Sequence, residues 1–235
     1  RADGGGCASG MTPRLPAGCV IAVLGAESTG KTELARALAA RLQARGIAAC
    51  FVGEYLREWC DREGRTPRPD EQAAIAAEQT RRIAEAAAGG VAVADTTALM
   101  TAVYSELLFG DRSLYDAALA AQRRCTITLL TALDLPWVAD GLQRDGPQVR
   151  EPVDAIVRAA LARGGVPYTV VHGSGPERLA NAWNAINSIA ERAERTGAAD
   201  REGTESPAWN WPCEKCSDPG CEHRLFTDLL AGRRR

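Results

Sequence analysis

A glycine-rich segment near the start of the chain has the spacing of a phosphate-binding loop. Its residues are Gly25, Ala26, Glu27, Ser28, Thr29, Gly30, Lys31 and Thr32. In the pattern G-x-x-x-x-G-K-[ST], glycines let the backbone curl so that successive N–H groups point at phosphate oxygens. Lys31 would bridge the β- and γ-phosphates of ATP, and the Thr32 hydroxyl would ligate Mg²⁺. Because an apolar run precedes the segment and a helical pattern follows it, we predict an ATP-binding P-loop.

Two acidic residues follow other strand-like runs and complement this loop. Asp95 ends the run 91–94, which is the place of an acid that orients Mg²⁺ through water, although it is also placed to cap the next helix. Glu54 follows the run 48–52 and is also placed to complement a helix dipole. Either carboxylate is able to orient an acceptor hydroxyl or accept its proton. The sequence leaves the choice between them open.

The loop alone does not separate kinases from GTPases and motor ATPases. The chain lacks an N-K-x-D segment, which often marks guanine specificity, and its small size favours a small-molecule kinase with a lid over ATP. Such a lid should carry arginines that meet the charge of the transferring phosphoryl group. Arg144 and Arg150 are the candidates in this sequence.

A third group of chemistry-bearing residues lies near the C-terminal end. These residues are Cys213, Cys216, Cys221 and His223. Three thiols and an imidazole within eleven residues are able to surround one tetrahedral Zn²⁺, although the Cys-x-His pair is tighter than the usual spacing. A structural zinc site, an unligated or redox-active thiol cluster, and an iron–sulfur or partner-dependent site are the alternatives for this tail.

Five apolar runs alternate with helical patterns and indicate how these residues are positioned. The runs span residues 20–24, 48–52, 91–94, 126–130 and 168–171, and the helical patterns span about 31–45, 70–88, 98–108, 113–123, 149–163 and 177–195. This alternation predicts an α/β fold with a P-loop kinase-like parallel five-stranded sheet and helices on both faces. Ligands in such sheets bind at the C-terminal strand ends, where Gly25, Glu54 and Asp95 lie.

The length of 235 residues allows one such domain with a small appendage. We predict a disordered segment over residues 1–18 with Met11 as a candidate start, a kinase domain over 19–196, a linker over 197–208 and a Cys/His-rich tail over 209–235. A formal net charge of −2 gives no overall attraction to nucleic acid or anionic membrane. No apolar run approaches the length that crosses a bilayer, so we expect neither kind of partner.

Three cysteines, Cys19, Cys50 and Cys125, lie in or beside apolar runs. We predict that they are buried thiols. Together with the phosphate loop, free buried thiols favour a reducing cytoplasm.

Four segments carry a family resemblance. They are residues 25–32 with Glu-Ser-Thr in the loop interior, Gly-Glu-Tyr-Leu-Arg at 53–57, Asp-Thr at 95–96, and Pro-Trp-Val-Ala-Asp-Gly-Leu at 136–142. In this order and spacing the chain resembles the ribosylnicotinamide kinase domain of NadR-type proteins over residues 20–145. The last segment is the most discriminating, because general P-loop kinases lack it.

The resemblance implies ATP-dependent phosphorylation of the 5′-hydroxyl of nicotinamide riboside, which yields nicotinamide mononucleotide for NAD biosynthesis. The nicotinamide ring is flat and cationic, so it should favour an aromatic face. Trp137 would provide one, and Tyr55 is a second candidate wall that could equally belong to the core. Glu54 and Asp140 are suitable acceptors for the ribose hydroxyls.

Larger family members carry an adenylyltransferase domain, whose His-x-Gly-His signature is missing here. We therefore expect a stand-alone kinase with a small-molecule substrate, or a relative with an altered substrate. Two alternatives remain. One is a P-loop kinase for another nucleoside or small alcohol, and the other is a nucleotide-dependent ATPase switch that docks a partner through its cysteine-rich tail.

Overall fold

Parallel strands form one sheet in the protein. The computed structural model describes residues 12–138 and 147–202. Within these ranges the strands are β1 (Val20–Leu24), β2 (Ala49–Val52), β3 (Val91–Asp95), β4 (Ile127–Thr131) and β5 (Thr169–Val171). Their order across the sheet is β2-β3-β1-β4-β5. The three central strands are fully buried, as near-continuous apolar runs require in a parallel sheet that is covered on both faces.

Seven α-helices lie in the described part of the chain. They are α1 (Lys31–Gln43), α2 (Tyr55–Glu63), α3 (Gln72–Ala88), α4 (Ala98–Phe109), α5 (Tyr115–Gln122), α6 (Arg150–Gly164) and α7 (Gly175–Glu202). Short 3-10 turns at Pro69–Glu71 and Pro147–Val149 precede α3 and α6. One face of the sheet packs against α1 and α7, and the other packs against α3 to α6. The predicted fold class is therefore confirmed.

The first helix shows how the sequence pattern builds this packing. Leu34, Leu38 and Leu42 recur every four residues, and all three are buried in the core between the sheet, α1 and α7. The helix ends at Gln43, and Gly46 adopts a positive φ of 77° shortly after it. Glycine reaches this conformation without the steric penalty that a Cβ imposes, so the chain turns there toward β2.

The helix α2 was not predicted from the sequence pattern. This helix buries Leu56, Trp59 and Cys60, which have the spacing of one helical face. It is only nine residues long and contains many charged side chains, so its periodicity is too brief to stand out from a loop. The omission matters because α2 begins directly after Glu54.

Several boundaries also differ from the predictions. Residues 12–18 were expected to be disordered, but Leu15 packs against the core formed by α1 and α7. One large apolar side chain in a short segment rich in proline gives no periodic signal. The last helix extends to Glu202, into the range predicted as a linker. Residues 1–11 and the tail from 203 onward lie outside the described residues, so the division into domains stays a prediction.

The thiols differ in their exposure. Cys19 is buried and Cys125 is partly buried, whereas Cys50 is exposed. The prediction for Cys50 was wrong because β2 lies at the edge of the sheet, where a side chain has neighbours on fewer sides than in a central strand. No helix in the described ranges is long and apolar enough to span a membrane.

Candidate functional site

The predicted phosphate loop connects β1 to α1. Gly25 has φ 148° and Gly30 has φ 72°, and a Cβ at Gly25 would lie 2.0 Å from Thr131 Oγ1. Only glycine tolerates this close approach in that backbone conformation. Gly30 is the N-cap residue of α1 and has no side chain that could cap the first N–H groups of the helix. Such an N-terminus binds phosphate through its N–H groups and its dipole.

Buried hydroxyl groups support the back of this loop. Thr29 Oγ1 donates to the Ala26 carbonyl at 2.7 Å and lies 2.7 Å from Thr131 Oγ1. Thr131 in turn donates to the Leu24 carbonyl at 3.1 Å. Because Thr131 is the last residue of β4, the neighbouring strand fixes the curvature of the loop.

Arg178 of α7 holds the outer side of the loop. Its side chain is almost fully buried, donates to the Thr29 carbonyl and pairs with Asp134. Its Nε donates to the Gly173 carbonyl at 2.7 Å. Burial lowers the pKa of Arg178, and the Asp134 carboxylate opposes that effect. One guanidinium thus ties the P-loop to the segments after β4 and β5. A lone arginine in a polar helix gave no signal in the sequence.

Lys31 lies within a group of carboxylates. Its Nζ donates to the Ala26 carbonyl of the loop at 2.8 Å. Burial lowers the pKa of Lys31, while the negative charges of Glu54 and Asp95 raise it. The ammonium is therefore held at the loop, where phosphate oxygens would form stronger, charge-assisted hydrogen bonds than the carbonyl does.

Thr32 and Asp95, the two residues predicted to hold Mg²⁺, are in direct contact. The strand register pairs Val23 with Asp95, which brings the end of β3 beside the first turn of α1. Thr32 Oγ1 donates to Asp95 Oδ2 at 2.5 Å. The alternative role of Asp95 as a helix cap is excluded, because Thr97 caps α4 by accepting a hydrogen bond from the Leu99 N–H.

The oxygen atoms of this pair fit a magnesium ion. Asp95 is 2% exposed, and its Oδ1 has no hydrogen-bond partner among the described residues. A buried carboxylate oxygen without a partner is costly, and Mg²⁺ prefers carboxylate, hydroxyl and phosphate oxygens. Thr32 and Asp95 would therefore hold the metal that accompanies a nucleotide. Thr32 and Asp95 alone form no larger ligand group, since the described ranges contain no cluster of three or more His, Cys, Asp or Glu side chains arranged for a metal.

Glu54 faces the same site from the end of β2. It is the N-cap residue of α2, yet its side chain makes no capping hydrogen bond. Arg57 Nε lies 3.7 Å from Glu54 Oε2. Burial raises the pKa of Glu54, while the Lys31 ammonium lowers it and the Asp95 carboxylate raises it. The structure therefore brings Lys31, Glu54 and Asp95 together at the C-terminal ends of three adjacent strands.

The two aromatic candidates have different surroundings. The Tyr55 ring lies under the guanidinium of Arg82, 4.3 Å from the ring centroid, so a cation already covers one of its faces. Trp137 is partly buried after β4, and its Nε1 is buried without a partner among the described residues. The Val138 N–H donates to Ser28 Oγ at 3.2 Å. This bond fastens the Trp137 segment to the P-loop, a role for Ser28 that its position in the motif did not reveal.

Arg150 begins α6 and is 7% exposed. Its Nη1 donates to the Leu135 carbonyl at 2.9 Å, whereas Nε and Nη2 have no partner in the described residues. Burying a cation with unsatisfied N–H groups is costly, so this side chain is suited to an anionic ligand. The other lid candidate, Arg144, and the predicted ribose-binding residue Asp140 lie outside the described residues. The same holds for the proposed zinc ligands Cys213, Cys216, Cys221 and His223.

Comparisons with known proteins agree with this architecture. Residues 20–178 match a protein family whose description is AAA domain. A crystal structure of NadR protein in complex with NR has a TM-score of 0.58 and 24% identity, over 73% of this chain and 50% of that chain. A second, with NAD and AMP-PNP, has a TM-score of 0.53 and 21% identity, over 82% and 52%.

The chain thus spans about half the length of these NadR structures. At such identities the likeness establishes a shared fold, which confirms the resemblance predicted from the sequence. Among curated proteins, no sequence matches significantly.

Proposed function

This chain belongs to the AAA-domain family, and on that premise we propose that it is an ATP-dependent small-molecule kinase. We further propose that its acceptor is the 5′-hydroxyl of nicotinamide riboside, which would yield nicotinamide mononucleotide. The observation that carries the kinase assignment is the convergence of Lys31, Glu54 and Asp95 beside the P-loop. The four segments shared with NadR-type kinases, and a NadR structure whose ligand is NR, support the choice of acceptor.

The P-loop would bind the triphosphate through the N–H groups at the start of α1 and through the Lys31 ammonium. Thr32 and Asp95 would hold Mg²⁺, which supplies neutralisation of phosphate charge when it is bound. The acceptor oxygen attacks the γ-phosphorus, so that an O–P bond forms while the bond between the γ-phosphorus and the leaving oxygen of ADP breaks. The proton of the acceptor hydroxyl must then move to a base.

The sequence leaves open whether Glu54 or Asp95 accepts the proton, and Glu54 is the better candidate for this base. Asp95 Oδ2 is occupied by the Thr32 hydroxyl, and its carboxylate is suited to the metal. The Glu54 side chain keeps 14% of its surface exposed and makes no capping bond to its own helix. Its raised pKa also brings it closer to the working pH, which favours proton transfer.

The acceptor pocket would be completed by the loop after β4. We propose that the ring of Trp137 stacks on the nicotinamide, with Tyr55 as a more restricted second wall, and that Asp140 accepts hydrogen bonds from the ribose. Arg144 and Arg150 would meet the phosphoryl charge. The buried, partly unsatisfied guanidinium of Arg150 supports this role for that residue.

The test is an assay with ATP, Mg²⁺ and nicotinamide riboside. We expect ADP and nicotinamide mononucleotide in equal amounts, and a loss of about 100-fold or more in Lys31→Ala, because one preorganised charged donor contributes on that scale. Arg36→Ala, on the exposed side of the same helix, is the matched control and should retain activity.

A panel of other nucleosides and small alcohols separates the alternatives. Absence of nicotinamide mononucleotide would refute the riboside assignment, and turnover of another acceptor would identify a kinase of different specificity. ATP hydrolysis that no acceptor changes would instead indicate a nucleotide-dependent switch.

A further inference from the structure

Gln79 is a buried polar residue of α3 that contacts the backbone on both sides of Glu54. It is 2% exposed. Its Oε1 accepts a hydrogen bond from the Tyr55 N–H at 2.7 Å, and its Nε2 donates to the Gly53 carbonyl at 3.3 Å. One amide group therefore satisfies a donor and an acceptor that are two residues apart, and it holds the peptide units that flank Glu54.

The contact with Tyr55 satisfies one N–H group at the start of α2 from outside that helix. The first N–H groups of an α-helix have no partner within the helix, and an oxygen of the N-cap side chain commonly accepts one of them. Glu54 is the N-cap residue of α2 and makes no such bond. Gln79, which is distant in sequence, supplies an acceptor to Tyr55, the first residue of that helix.

We propose that Gln79 is a positioning residue that keeps the Glu54 carboxylate in the phosphoryl-transfer site by holding the two peptide units that flank Glu54. The inference rests on the proposed function, in which Glu54 accepts the acceptor proton. The helix that carries Gln79 is firmly packed, since Ile75 and Ile83 on the same side of α3 are buried. The position of Glu54 is thus fixed from the core.

Removing the Gln79 amide has a defined consequence. In Gln79→Met both the Tyr55 N–H and the Gly53 carbonyl lose their partner. The two peptide units that flank Glu54 would then no longer be held against α3. The Glu54 carboxylate would lose its fixed position beside Lys31, although every residue of the catalytic group is still present.

Steady-state kinetics of Gln79→Met with ATP and nicotinamide riboside test this proposal. We expect kcat to fall about 10- to 100-fold, on the scale by which a small misplacement of a reacting group slows a reaction, with KM for ATP within about twofold of the wild type. Gln72→Met is the matched control. Gln72 lies on the same helix, is also 2% exposed, and has an amide oxygen without a partner in the described residues. Its kcat should stay at the wild-type value.

A conservative variant distinguishes positioning from general destabilisation. Gln79→Glu keeps an oxygen that accepts from the Tyr55 N–H but loses the donor to Gly53, so its kcat should lie between those of the wild type and Gln79→Met. Equal kcat values for wild type and Gln79→Met would overturn the proposal. So would a Gln79→Glu variant no better than Gln79→Met, or an equal loss in Gln72→Met.

Amide hydrogen exchange provides a readout that does not depend on turnover. The exchange rate of the Tyr55 amide should rise in Gln79→Met, because protection from exchange requires a hydrogen-bond partner. In Gln72→Met the exchange rate should equal that of the wild type. If the wild-type protein phosphorylates none of the acceptors, the proposed function fails. Unchanged exchange at Tyr55 in Gln79→Met would separately refute the role of Gln79 in holding the backbone beside Glu54. Thermal unfolding of each variant confirms that the measurements concern folded protein.

Discussion

Gly25 is the point at which the P-loop is least able to tolerate a side chain. In Gly25→Ala the new Cβ would lie 2.0 Å from Thr131 Oγ1 and 3.1 Å from Thr29 Oγ1, so both hydroxyls would have to move. The backbone conformation at φ 148° costs a residue with a Cβ about 1–3 kcal/mol, and overpacking adds about 1–3 kcal/mol. We therefore expect the free energy of unfolding to fall by about 2–6 kcal/mol.

Urea unfolding and ATP binding measure the two consequences of this change. Gly46→Ala is the control, because Gly46 also has a positive φ but has no atom within 4 Å of its missing Cβ. It should lose only the conformational part, about 1–2 kcal/mol, with ATP affinity unchanged. Gly25→Ala should lose more stability than this control and should also bind ATP more weakly, since the loop hydroxyls are displaced.

Thr131→Ala in the Gly25→Ala background tests the cause of the loss. This change removes the closest atom but leaves Thr29 Oγ1 and the Thr131 Cβ at 3.1 and 3.3 Å from the new Cβ. The double variant should therefore be more stable than the sum of the two single losses of stability implies. Wild-type stability and ATP affinity in Gly25→Ala would refute this account of the loop. Strict additivity of the two changes would refute the steric explanation in particular.

Two further predictions concern the carboxylates. Asp95→Asn should raise the Mg²⁺ concentration for half-maximal activity by about 10- to 100-fold, the scale on which groups around a metal site affect affinity. A magnesium titration of activity measures this shift, and an unchanged midpoint would contradict the assignment. Glu54→Gln should abolish turnover and yet stabilise the fold at pH 7. Folding raises the pKa of Glu54, so ionisation of this carboxyl at a pH above its unfolded pKa destabilises the native state, and glutamine does not ionise. The gain in Tm should disappear as the pH falls below the ordinary carboxyl value of 4.5, and a gain that is independent of pH would show that charge is not its cause.

The parts of the site that the sequence predicts are those encoded over a few consecutive residues. The five strands lie within one residue of their predicted ends, because buried parallel strands are continuous apolar runs. The loop from Gly25 to Thr32 and the acid Asp95 follow such runs directly, so their meeting at one edge of the sheet follows from topology alone.

The supporting contacts could not be predicted in this way. Arg178 contacts Thr29 across 149 positions of the chain, and Gln79 contacts Gly53 and Tyr55 across 26 and 24 positions. Each depends on how a helix is rotated against the sheet, which a single sequence does not specify. The exposure of Cys50 has a similar origin, since a strand-like run does not state whether its strand lies at the edge.

The order of the strands separates the proposed catalytic residues from the proposed acceptor-binding loop. Lys31, Glu54 and Asp95 lie at or just after the ends of β1, β2 and β3, whereas Trp137 lies in the loop that follows β4. Substitutions in that loop would change which acceptor is recognised without altering Lys31, Glu54 or Asp95. On the proposed function, a new acceptor specificity is therefore accessible through mutations in one short segment of the chain, and the same segment is the place to begin when engineering the enzyme toward other nucleosides.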